Sequence, residues 1–235
     1  MDLLRRLAET PDRAAILLDV DGVLAPIVAR PEDARVPRET RAVLARLALR
    51  YALVACISGR ASDDARRIVG VPELTYVGNH GLELDPAAAP WRERLAAFLA
   101  QADWEETENK GVSAALHFRN VADEPHALAT LEPIAAAARE HGFVTRYGRK
   151  VLEILPPLAT NKGTAVARLL GDHDLRIGLY AGDDTTDLDA FTALDGLELG
   201  VRVAVASSEG PSELLQRADL VVGTPDELRE LLESL

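Results

Sequence analysis

The 235-residue chain is 48% hydrophobic, which supplies a real core for one large or two modest domains. Its formal net charge of -12, from 38 acidic and 26 basic side chains, comes with no basic stripe and 4% aromatics. That balance argues against a nucleic-acid partner and fits either solubility or carboxylates gathered around a divalent cation. The lone Cys56, set in an apolar run, excludes an internal disulfide framework and a thiolate metal cluster. With no run of about eighteen apolar residues and no basic-then-apolar start, neither a membrane span nor a signal peptide is expected; the cytoplasm is the default address, and a monomer is expected.

In chain order, a short helix over residues 2–10 leads to a first strand, Ala14 to Leu18, that runs straight into Asp19-Val20-Asp21-Gly22. Its apolar residues do not alternate, as expected for a strand covered on both faces of a parallel sheet. After Pro26, Pro31 and Pro37, helical spacing returns over Arg38 to Arg50. Leu53 to Ile57 is a second buried strand followed directly by Ser58-Gly59-Arg60. A helix over Ala61 to Val69 and a short strand, Leu74 to Val77, end in Gly78-Asn79-His80-Gly81. Alternating strand and helix predict an α/β fold with a doubly wound parallel sheet.

The rhythm then changes. Between Asp85-Pro86 and Pro156-Pro157 a helix (Trp91 to Ala100), two strands (Trp104 to Glu108, Val112 to Phe118), a helix (Pro125 to His141) and two more strands are expected. The last two, Phe143 to Tyr147 and Val151 to Leu155, would be joined by a hairpin at Gly148-Arg149. Such a pattern predicts an inserted α+β cap over residues 85–157, with residues 1–84 and 158–235 forming the core. Beyond it the first rhythm resumes. Helices over Lys162 to Leu170, Leu188 to Leu194, Ser212 to Arg217 and Pro225 to Leu232 alternate with strands over Ile177 to Ala181, Val201 to Val205 and Leu220 to Val222.

Asp19 and Asp21, Ser58, Lys162 and Asp183 all stand where a strand ends or a helix begins. In an open α/β sheet the carboxyl ends of the strands form one crevice, so these residues can converge. Carboxylates there suit Mg2+, and a hydroxyl with an ammonium suits phosphate oxygens. Backbone N–H groups at Ser58-Gly59 offer a further anion contact. Taken singly, each piece has an ordinary explanation. Asp21-Gly22 makes a turn, Ser58 caps a helix, Lys162 is a solvated helix-end lysine, and Asp183, Asp184 and Asp187 are turn or cap acids.

Together, Asp19-Val20-Asp21-Gly22-Val23-Leu24, Ser58-Gly59-Arg60, Lys162 and Gly182-Asp183-Asp184 resemble the four motifs of the haloacid dehalogenase-like phosphatases. The resemblance implies Asp19 as the nucleophile that becomes an aspartyl-phosphate, and Asp21 as general acid and then base. It implies Ser58 and Lys162 as holders of the phosphoryl group, with Gly59 and Arg60 beside the substrate. It also implies Mg2+ on Asp19, the Asp21 carbonyl and Asp183, supported from behind by Asp184 or Asp187. Like-charge proximity to Asp19 would suit Asp21 to acid/base work.

Within that group, Glu108-Asn109-Lys110, Val112 to Arg119, Val151-Leu152-Glu153-Ile154, Gly78 to Gly81, Asn161-Lys162-Gly163 and Gly182 to Phe191 look like trehalose-6-phosphate phosphatases. The likeness implies Glu108, Lys110 and Glu153 as ligands of sugar hydroxyls, which both donate and accept hydrogen bonds. His80, His117 and Arg119 join them as candidate substrate contacts, although His117 and Arg119 could simply line the wet face of a strand and His80 could be structural. Val23, Leu155 and Leu188 depart from the family pattern, where Thr, Arg and an acid are common. The expected activity is Mg2+-dependent hydrolysis of trehalose 6-phosphate. A related phosphatase acting on a glycosyl-phosphoglycerate, aminosugar or pseudo-sugar phosphate is the nearest alternative, and a catalytically silent binding protein the next.

Overall fold

A computed structural model describes residues 2–28, 30–148, 150–207 and 210–235. Helix α1 (Asp2–Ala8) leads into β1 (Ala14–Leu18), and α2 (Arg38–Arg50) into β2 (Leu53–Ile57). Then come α3 (Ser62–Val69) and β3 (Thr75–Val77). The middle of the chain forms α4 (Ala89–Leu99), β4 (Thr107–Asn109), β5 (Ala114–His117), α5 (Glu124–Glu140), β6 (Val144–Gly148) and β7 (Val151–Leu155). The last part forms α6 (Lys162–Asp172), β8 (Ile177–Gly182), α7 (Asp187–Ala193), β9 (Leu199–Val205), α8 (Ser212–Arg217), β10 (Leu220–Val222) and α9 (Pro225–Glu233).

Two compact units result: Met1–Gly81 with Thr160–Leu235, and Leu82–Ala159. The junctions thus fall at Gly81/Leu82 and Ala159/Thr160, not at residues 84/85 and 157/158. Leu82 and Leu158 explain the difference, because they pack with Ala88, Val112 and Leu155 in a small apolar cluster of the second unit. The core chain leaves and re-enters at one place. A Cβ on Gly81 would lie 2.8 Å from the Asn161 carbonyl and 3.4 Å from Thr160 Cγ2.

The core sheet has the strand order β10-β9-β8-β1-β2-β3, all parallel. Strands β1, β2 and β8 are buried at every position, so their unbroken apolar runs fill the space between two helical layers. From β1 the chain winds outward through β2 and β3 on one side, and β8, β9 and β10 extend the other. The reversal point lies between β1 and β8, where such sheets open their ligand crevice. Both residues that close these strands, Asp19 and Asp183, therefore emerge side by side.

The second unit carries an antiparallel sheet of order β4-β5-β7-β6. Ala114, Leu116, Leu152 and Ile154 pack with Leu95, Phe98, Leu131 and Ala135 of α4 and α5, which leaves the alternate side chains on the other face. The expected strand Trp104 to Glu108 shortens to Thr107–Asn109. Trp104 Nε1 donates to the His117 carbonyl (2.8 Å), and Thr107 Oγ1 donates to the Trp104 carbonyl (2.7 Å), so the indole anchors a turn. Of the expected hairpin, Gly148 pairs with Val151 and Arg149 lies outside the described residues.

Candidate active site

Asp19 is fixed by the strand it terminates. Its N–H donates to the Ala181 carbonyl of β8 (3.0 Å), and its Oδ1 accepts from the Val20 N–H (2.7 Å). Its Oδ2 accepts from Lys162 Nζ at 2.7 Å. Lys162 is delivered by the start of α6, which is set by a capping box. Asn161 accepts from the Thr164 N–H (2.9 Å), and Thr164 Oγ1 accepts from the Asn161 N–H (3.0 Å). The solvated-lysine explanation fails, for this side chain is 2% exposed.

Asp187 holds the other side of the ammonium, its Oδ1 accepting from Lys162 Nζ and from the Tyr180 hydroxyl, both at 2.7 Å. Its Oδ2 accepts from the Asp183 and Asp184 N–H groups, both at 2.9 Å. One oxygen each of Asp19, Asp183 and Asp187 lies within 4.8 Å of the others. Because four donors already fill Asp187, it serves as a clamp on Lys162 and on the Asp183 turn, leaving metal ligation to its neighbours. Asp184 is an exposed turn acid whose Oδ1 accepts from the Thr185 N–H (2.6 Å).

Three carboxylates and one ammonium sum to two negative charges when all are ionised. Burial raises Asp19 to about 7 despite Lys162, with Asp187 adding to the rise. Asp183 rises to about 8, first through burial and then through the charges of Asp19 and Asp187. Burial opposes the charge of Lys162, yet Asp19 and Asp187 outweigh it and raise its pKa. A divalent cation matches that deficit. Asp183 also makes no side-chain hydrogen bond among the described residues, and Gly22 (φ +78) leaves it room, since a Cβ there would lie 2.1 Å from Asp183 Oδ2. The donor set of hard oxygens fits Mg2+.

Asp21 is not paired with Asp19. Arg60 takes both of its oxygens, Nε to Oδ2 at 2.7 Å and Nη2 to Oδ1 at 2.8 Å, and Nη1 reaches Asp64 Oδ2 at 2.8 Å. The guanidinium of Arg60, a candidate substrate contact, is thus spent on two carboxylates. Ser58 is buried beside the end of β1, and its Oγ accepts from the Arg60 N–H (3.2 Å). It does not cap α3, which starts after Ala61, so Ser58-Gly59 forms a loop ahead of the helix. Asn79 and His80 both adopt left-handed backbone (φ 53 and 54). Through that turn the His80 ring packs on Gly59, where a Cβ would lie 2.6 Å from its Cε1 and Nε2.

In the second unit, Glu108, Ala115, Glu153 and Arg146 stand in one row across the sheet. His117 Nε2 meets Glu108 Oε2 at 3.1 Å, and Lys110 Nζ lies 3.8 Å from the same oxygen. Arg146 donates to Glu153 Oε2 from Nε (2.8 Å) and Nη2 (2.6 Å). Arg119 is exposed past the end of β5 and stands apart from this row. Sequence reasoning missed Tyr180, Asp64 and Arg146. Tyr180 sits inside an apolar run with no signal of its own, and Arg146 is found only through the strand register opposite Glu153.

The sequence model described as Trehalose-phosphatase matches residues 17–219. A probable trehalose-phosphate phosphatase of Oryza sativa subsp. japonica is 31% identical over 266 residues, covering 95% of this chain and 70% of that protein. An uncharacterized glycosyl hydrolase of Mycobacterium tuberculosis is 37% identical over 227 residues, covering 85% of this chain but 17% of that protein. This chain therefore spans about a sixth of the length of some curated relatives and about two thirds of others. Among solved structures, the C-terminal domain of Candida albicans trehalose-6-phosphate phosphatase matches with a TM-score of 0.69 at 22% identity. That match covers 98% of this chain and 95% of the other.

Proposed function

Since this chain belongs to the trehalose-phosphatase family, with a haloacid dehalogenase-like α/β core and an inserted cap, we propose that it hydrolyses trehalose 6-phosphate to trehalose and phosphate. The observation that carries the proposal is the buried Lys162 ammonium, held 2.7 Å from both Asp19 and Asp187 at the switch point of the sheet. A buried ammonium between carboxylates fits a site that must receive a dianionic phosphate next to a carboxylate nucleophile.

In this mechanism Asp19 attacks phosphorus, the P–O bond to the sugar breaks, and Asp21 protonates the departing oxygen. Asp21 then takes a proton from the water that hydrolyses the aspartyl-phosphate. Lys162 and Ser58 hold the equatorial phosphoryl oxygens through both displacements, and Asp187 keeps Lys162 aimed. Asp19, the Asp21 carbonyl and Asp183 would hold Mg2+, which when bound offsets the charge of the phosphate. In the cap, Glu108, Lys110, His117 and Glu153 present carboxylates and donors on one face, the chemistry that sugar hydroxyls require. His80, Gly59 and Arg119 are weaker candidates for substrate contact.

Mg2+-dependent phosphate release from a panel of sugar phosphates tests the proposal. Turnover of trehalose 6-phosphate is expected, lost by a factor of about 10^3 or more in Asp19→Asn. Glu153→Ala is expected to blur the preference among sugars while leaving turnover of a small aryl phosphate intact. Release from a glycosyl-phosphoglycerate or an aminosugar or pseudo-sugar phosphate alone would replace the trehalose assignment, and no release at all would defeat the enzymatic one.

A further inference from the structure

Asp21, Arg60, Asp64 and Arg67 form a chain of alternating charge. Beyond the contacts of Arg60 given above, Asp64 Oδ1 accepts from Arg67 Nε (3.1 Å) and Nη2 (2.5 Å). Asp21 is 40% exposed and the Arg60 side chain 14%, and exposure then rises through 29% for Asp64 to 48% for Arg67. The Arg60 backbone is fixed at both ends, its N–H on Ser58 Oγ and its carbonyl accepting from the Asn79 N–H (2.7 Å). Only the side chain is left to move.

A proton donor must come within hydrogen-bond reach of the oxygen it protonates. Both Asp21 oxygens face Arg60, and a carboxyl that carries the proton for a leaving group loses the charge that pairs it with the guanidinium, so Asp21 turns from Arg60 in that step. That turn would strip a largely buried cation of two of its three ionic contacts, and an unpaired buried charge is costly. Asp64 is the anion that stays. We infer that Asp64 is a positioning residue, holding Arg60 in place while Asp21 passes from Arg60 to the leaving oxygen and back. This inference rests on the phosphatase mechanism proposed above. It assigns α3, which bears none of the family motif residues, a part in the chemical step.

Leaving-group chemistry separates this role from simple support of the fold. A sugar alkoxide needs a proton to depart, whereas para-nitrophenolate does not. In Asp64→Asn, kcat for trehalose 6-phosphate is expected to fall about tenfold with KM within about twofold. The first-turnover burst of para-nitrophenol from para-nitrophenyl phosphate should stay within about twofold of the parent protein, since it reports attack by Asp19 alone. Asp64→Glu should restore most of the lost kcat, and Arg67→Ala should change it by less than about threefold. An equal loss on both substrates together with a lower melting temperature would reduce Asp64 to a structural residue, and an unchanged kcat would remove it altogether. Failure of the parent protein to release phosphate from any sugar phosphate is the separate result that defeats the mechanism itself.

Discussion

At the scale of single residues, the division of labour among the acids is sharper than their spacing implies. Asp183, Asp184 and Asp187 stand within one short stretch, yet Asp187 alone binds four donors in a fully buried position. Removing it would leave Lys162 half-paired and the Tyr180 hydroxyl and two backbone N–H groups unsatisfied. Asp187→Ala is therefore expected to destabilise the core by about 3–5 kcal/mol, while Asp184→Ala should cost under about 1 kcal/mol. Urea unfolding followed by near-UV signals of the core compares the two, and equal effects would contradict the clamp. Asp21 gives the converse lesson. An acid, Asp19, stands two residues before it, but its partner in space is Arg60, a pairing that depends on how the loop after β2 comes back beside the end of β1.

At the scale of elements, the legible parts were those with a strong local signal. Unbroken apolar runs marked β1 and β2, and helical spacing marked α2. The Ser58-Gly59, Lys162 and Gly182-Asp183 motifs marked the ends that meet in the crevice. Elements shaped by distant partners were not legible. The indole of Trp104 shortens β4 by bonding across to β5, and Val112 is drawn into the Leu82 cluster rather than into its strand. The pairing of Arg146 with Glu153 depends on the register of β6 with β7, which periodicity alone does not fix. The turn after β1 makes a testable case of local shape. Gly22 combines a left-handed φ with near-contact to Asp183, so Gly22→Ala should strain the turn and displace the carboxylate. The expected result is an Mg2+ midpoint raised at least about tenfold, read from the metal-induced shift in melting temperature. An unchanged midpoint would show that the turn has slack.

At the scale of the molecule, the crevice couples stability to pH. Asp19 and Asp183 carry folded-state pKa values of about 7 and about 8, above the ordinary 3.8. Between about pH 4 and pH 8 the folded chain therefore binds more protons than the unfolded chain, and stability falls as pH rises. Their contribution is fully present below about pH 4 and is lost as pH passes through 7 to 8. In chelator, the melting temperature should decline across that window. Saturating Mg2+ should flatten the decline, because a cation on the carboxylates takes the place of the protons. A metal-free melting temperature that rises from pH 6 to 8 would contradict the assignment. The close approach of Gly81 to Thr160 and Asn161 has a different kind of consequence. Entry and exit of the insertion share one doorway, so a single recombination or grafting event can exchange the whole insert without rethreading the sheet. Under the proposed function, sugar preference and phosphoryl chemistry could then diverge at separate rates, one core accepting successive recognition modules.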